Sequence, residues 1–165
     1  YGSRYAETPS LNSTVNLYLY IEMIAVIVLL LINLAIFYNF KEDPVLVEVK
    51  EKYRTFREHM KTNGDDKYKM LHKEIPIVAY RGSFLSGVGY NSNKGSEIGI
   101  CIDGTSNHVF HVLLHELAHC TVSEYSHSTD FWDNYTELKN EAIRIGIYEN
   151  INQVTPFCGK KIVDK

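Results

Sequence analysis

The sequence predicts an α+β domain behind a single transmembrane helix, and three observations predict it. One apolar run, residues 17–40, holds much of the aliphatic content of a chain that is 45% hydrophobic. Three later segments repeat apolar residues at helical spacing. Between them lie short apolar runs bounded by glycine, asparagine and serine, the pattern of a small sheet. A length of 165 residues leaves room for one modest domain and an appendage. The division is an N-terminal tail over 1–16, the span over 17–40 and a domain over 44–165.

The span reads LYLYIEMIAVIVLLLINLAIFYNF. From Met23 to Tyr38 its one polar residue is Asn33, and Leu17 to Ile21 bring it to the ~20 residues that a bilayer requires. Tyr18 and Tyr20 at one end, with Tyr38 and Phe40 at the other, resemble aromatic belts. A secretory signal would carry a basic start and small residues before a cut, but this run ends Phe-Tyr-Asn-Phe-Lys. Basic residues fix the orientation: Arg4 stands before the span, whereas Lys41, Lys50, Lys52, Arg54 and Arg57 follow it. The domain is therefore expected on the cytoplasmic or a topologically equivalent side. Cys101, Cys120 and Cys158 form no CxxC pair and are odd in number, which agrees with a reducing compartment. The chain opens on Tyr1 rather than Met, so processing or truncation ahead of it is expected.

After the span, Asp43-Pro44 reads as a helix cap followed by proline at the first helical position. Val49, Tyr53, Phe56 and Met60 continue the helix, and Asn63-Gly64 closes it. Ile75 to Tyr80, Phe84 to Tyr90 and Glu97 to Ile102 read as strands of a three- or four-stranded sheet, with Asn91 to Gly95 as hairpin link. Asn107 is the expected cap of a helix from His108 to about Val122. A second helix is expected from Thr129 to Ile145, with Phe131, Tyr135, Leu138 and Ala142 on one face. Residues 146–165 show no clear element.

The chemistry concentrates in His115-Glu116-Leu117-Ala118-His119. Histidines four apart present both imidazoles from one helix face, a spacing that suits Zn²⁺, and the intervening glutamate is a general base in this motif. Ionisable residues in so apolar a helix are costly without a purpose. A catalytic zinc takes a third protein ligand. His127 is the best candidate, with Glu124, Asp130, Glu137 and Glu141 as rivals. His111, one turn before His115, reads either as a hydrogen-bond donor behind a metal ligand or a contact to substrate, or as a polar residue near the sheet edge. Cys120 points off the ligand face. Tyr125 is a possible donor to an oxyanion.

Three blocks carry a family resemblance. Gly89-Tyr-Asn-Ser-Asn-Lys-Gly-Ser-Glu-Ile-Gly-Ile-Cys-Ile102 is similar to a glycine-asparagine turn leading into a strand. His115 to His119 matches the family's helix, and His127-Ser-Thr-Asp-Phe-Trp132 matches an HGxxFW element, with Ser128 in place of glycine. The region from Phe84 to Tyr148 thus resembles the WLM zinc metalloproteases, relatives of the SprT/Spartan group. The resemblance implies a minimal zincin-like fold, Zn²⁺ at His115, His119 and His127, and Glu116 activating water. It further implies a protein or peptide substrate paired against the strand Glu97 to Ile102 as an edge.

Net charge is −3, without a basic stripe, which does not support nucleic-acid binding. The expected function is a membrane-anchored zinc metallopeptidase with residues 17–40 in the lipid bilayer. The alternative is a structural or assembly membrane protein, such as a virion or minor capsid component of a large DNA virus, using a protease-like domain as a binding module within a larger assembly.

Overall fold

The computed structural model describes residues 11–39, 42–63, 66–82 and 87–164. It divides the chain into two units, Tyr1–Glu42 and Asp43–Lys165. In the first, the apolar run forms helix α1 (Leu11–Asn39), which begins six residues before the expected span. Its stretch Thr14–Tyr38 is long and apolar enough to cross a membrane; 25 residues at 1.5 Å each give about 37 Å. Side chains from Leu17 to Tyr38 are exposed. Asn33 donates to the Leu29 carbonyl at 2.8 Å, so its amide is satisfied within the helix. Arg4, Phe40 and Lys41, which entered the anchoring and orientation arguments, lie outside the described residues.

The second unit opens as the capping signal requires. Asp43 Oδ1 accepts from the Val45 amide at 2.9 Å, and Pro44 begins α2 (Pro44–Asn63). Leu46, Val49, Tyr53, Phe56 and Met60 are its buried stripe. Gly64, the expected stop, lies outside the described residues. A 3₁₀ segment follows over Asp66–His72, and it buries Tyr68 and Leu71.

Among the described residues the sheet has three strands: β1 (Ile77–Tyr80), β2 (Gly89–Ser92) and β3 (Glu97–Cys101), in the order β1-β3-β2. β1 runs parallel to β3 and β2 antiparallel to it, pairing Ile77 with Ile98 and Tyr90 with Gly99. The middle strand differs from the expected Phe84 to Tyr90: Phe84 falls outside the described residues, and pairing runs to Ser92. The turn is tight because Asn93, Lys94 and Gly95 all take positive φ (46°, 55° and 99°). A larger correction concerns β3. It was expected as an edge, but β1 occupies its far side, so the edge beside the site is β2.

Helix α3 (Ser106–His119) packs between α2, α4 and the sheet, with Val109, Phe110, Leu113, Leu114, Leu117 and Ala118 buried. Its cap is Thr105, whose hydroxyl accepts from the His108 amide, and not the expected Asn107. The Asn107 side chain instead clamps the backbone N–H and C=O of Glu149. The helix stops at His119 rather than continuing to Val122. Helix α4 (Thr129–Arg144) matches expectation and buries Phe131, Tyr135, Leu138 and Ala142.

The tail is part of the core. A hairpin, β4 (Thr155–Phe157) with β5 (Lys160–Ile162), buries Phe157 and Ile162. Cys158 is disulfide-bonded to Cys101 across 57 residues, which overturns the reading of the cysteines as unpaired; Cys120 stays free. Beyond β5, Asp164 accepts from the Tyr148 hydroxyl (2.5 Å) and the Ile151 amide (2.7 Å).

Candidate metal centre

Four residues apart on α3, the His115 and His119 rings stand 5.0 Å apart. The chain leaves the helix at Cys120 and returns so that the His127 ring lies 4.8 Å and 4.9 Å from them. His127 Nε2 is 3.0 Å from His115 Nε2 and 3.2 Å from His119 Nε2. Each nitrogen holds a proton or a lone pair, never both, so three facing one point suit a Lewis acid better than one another. Zinc at ~2.0–2.1 Å from each would set tetrahedral edges of about 3.4 Å, within a few tenths of the spacing found. The donor set fits.

The local backbone explains how His127 arrives. Ser128 is extended (φ −68°, ψ 174°), so replacing the family glycine costs no left-handed strain, and its hydroxyl caps α4 by accepting from the Phe131 amide. The α4 start then brings Phe131 under all three imidazoles, with centroids 5.0, 4.4 and 4.7 Å away. Trp132 lies 5.6 Å from His127. Burial, then the neighbouring histidines, push His115 down to about 3, and burial also lowers His119. Neutral imidazoles are the form a metal takes.

Glu116 is 6% exposed, and burial pushes its carboxyl up to about 7. Among the described residues no group donates a hydrogen bond to that carboxylate. Gly89 on β2 makes space for it: a Cβ there would lie 2.9 Å from Glu116 Oε1 and 2.6 Å from Val112 Cγ1. Asn91 fastens the same strand to the helix end, donating to Glu116 O (2.7 Å) and Cys120 Sγ (2.9 Å) while accepting from the Gly95 amide.

These groups open on a cleft of about 280 Å³, to which β2 contributes Gly89, Tyr90 and Asn91, the turn Lys94, and the loop after α3 Tyr125. The rival ligands are engaged elsewhere. Glu124 accepts from Ser123 and Ser128, Glu137 from Tyr68 and Lys67, and Glu141 from Arg144 and His59. Asp130 lies in a separate polar hollow with Asp133. Cys120 is away from the histidine set, as expected. His111 is neither a cleft residue nor at a sheet edge. Its Nδ1 meets Tyr148 (2.9 Å) and Tyr135 (3.2 Å), close to Asp164, in a network that ties the tail to α3. Cys101, Asp103 and Cys158 also come together, but the two sulfurs are bonded to each other. Gly89, Asn91 and Lys94 were legible only as turn and strand residues, because nothing in their spacing reveals the helix they face.

A small sheet over a helix that carries this histidine set defines a domain of the zinc-protease type. The WLM domain profile matches residues 81–163, just over half of the chain, and the chain belongs to the WLM family of metalloproteases. It is also similar to the crystal structure of Wss1 from Saccharomyces cerevisiae, with 22% sequence identity, a TM-score of 0.46, and coverage of 61% of this chain and 76% of that one. No curated protein matches the sequence.

Proposed function

We propose that this protein is a membrane-anchored zinc metallopeptidase, with His115, His119 and His127 as metal ligands and Glu116 as general base. The observation that carries the reading is the convergence of three Nε2 atoms beside a buried carboxylate to which no described residue donates a hydrogen bond. Zinc held there supplies a Lewis acid and a water of lowered pKa. Glu116 takes the proton of the attacking water and delivers it to the leaving amine. A protein or peptide substrate lies extended along β2, because the Cys101 amide bonds to Val88 O and the ladder's alternation leaves the Gly89 and Asn91 main chains facing outward. Residues 14–38 anchor the chain in the bilayer, and the basic residues of α2 put the domain on the cytoplasmic or an equivalent side.

The test is metal analysis of the full chain in detergent, combined with cleavage by wild type and Glu116→Gln. We expect about one zinc per chain in both proteins, with cleavage only by wild type. Cleavage by the glutamine variant would remove Glu116 from its role, and a chain that binds no zinc would remove the reading altogether.

A further inference from the structure

The geometry points to Tyr125 as a catalytic residue whose hydroxyl donates to the oxyanion formed when water adds to the scissile carbonyl; this rests on the proposed peptidase reading. In that step the new C–O bond forms and the carbonyl π pair moves onto oxygen. The water proton goes to Glu116, and Tyr125 keeps its own. The negative charge on oxygen grows only as the bond forms, so a donor aimed there favours the transition state over bound substrate.

Tyr125 is singled out by the commitments of its neighbours. The other side-chain donors of the cleft are already engaged. The Tyr90 hydroxyl donates to Glu97 at 2.8 Å. The Asn91 amide serves Glu116 O and Cys120 Sγ. The Lys94 ammonium donates to the carbonyls of His119 and Glu124. Among the described residues nothing bonds to the Tyr125 hydroxyl, although the residue lines the same cleft as His119 and Glu116 and is 74% exposed. Exposure alone would leave its ring free to swing, but Lys94 Nζ lies 4.3 Å from the ring centroid. That ammonium is itself tethered to the end of α3, so the ring is held at the mouth of the site by a cation–π contact. Lys94 is accordingly a positioning residue.

The experiment compares wild type with Tyr125→Phe, which keeps ring and cation–π contact and removes only the hydroxyl. Both are full-length, zinc-loaded and in detergent. Readouts are kcat and KM on a quenched fluorescent peptide that wild type cleaves, and affinity for a phosphinic peptide, whose tetrahedral anion mimics the oxyanion. We expect kcat to fall about 100-fold with KM held within about threefold, and phosphinate affinity to fall in parallel. Unchanged kcat and phosphinate affinity would overturn the assignment. So would a loss confined to KM, which would make Tyr125 a substrate contact. If zinc-loaded wild type cleaves no peptide, the peptidase reading fails, while the phosphinate comparison still reports on Tyr125.

Discussion

Two residues of the motif titrate in opposite senses, and pH separates them. Burial raises the Glu116 carboxyl to about 7 in the metal-free protein, so the folded state holds a proton that the unfolded state releases near 4.5. Its contribution to stability is present below about 4.5 and is lost as pH rises through about 7, a change of up to about 3 kcal/mol. His115 is held neutral down to about 3, so its contribution is lost as pH falls from 6.5 toward that value. The slopes oppose each other in between, and a glutamine at 116 removes one of them. In chemical unfolding of metal-free protein, the stability of Glu116→Gln relative to wild type should grow from pH 4.5 to 7 and then level off. Parallel curves would mean that the carboxyl is not desolvated. A bound dication pulls Glu116 back down, so saturating zinc should flatten the difference.

At the scale of elements, the site depends on how closely β2 approaches α3, and Gly89 sets that distance. Gly89→Ala puts a methyl into Val112 and the Glu116 carboxylate. We expect a loss of about 1–3 kcal/mol in stability and at least a tenfold fall in cleavage at unchanged zinc content, read by thermal melts beside rate assays. Full activity would mean that the strand yields. The three helices of the domain were legible because their buried faces repeat at helical spacing: Val49, Tyr53, Phe56 and Met60 are the clearest case. The strand β2 was legible only in part, since Gly-Tyr-Asn-Ser lacks the apolar alternation of a half-buried strand, and its turn rests on left-handed Asn93 and Lys94. His115, Glu116 and His119 were picked out by spacing alone. His127 was the best of five candidates by position, and the family resemblance chose it over the four acidic rivals, because a loop residue has no period. The tail was not readable: strands of three residues carry no pattern, and three cysteines allow three different pairings.

Across the whole molecule, the Cys101–Cys158 bond decides how much of the core depends on the tail. A closed loop of 57 residues stabilises the folded state by about 4 kcal/mol in the chain-entropy account. Reduction of metal-free chain in detergent should therefore lower the melting temperature by on the order of 10 °C or more. An unchanged melting point would show that Phe157, Ile162 and Asp164 hold the hairpin without it. Disulfides of this kind belong to oxidising surroundings, whereas the basic flank is the pattern expected of a cytoplasmic face. Thiol labelling in intact cells separates these: one reactive cysteine means oxidising surroundings, and three mean the cytosol.

Both sulfurs stand outside the segment that holds His115, Glu116, His119 and His127, one before it and one after. The candidate metal centre thus sits on a covalent ring. A nick in the polar stretch Thr121 to Ser126, whose Tyr125 lines the cleft, would leave two fragments that remain one particle. It escapes a non-reducing gel and splits the band only when thiol is added.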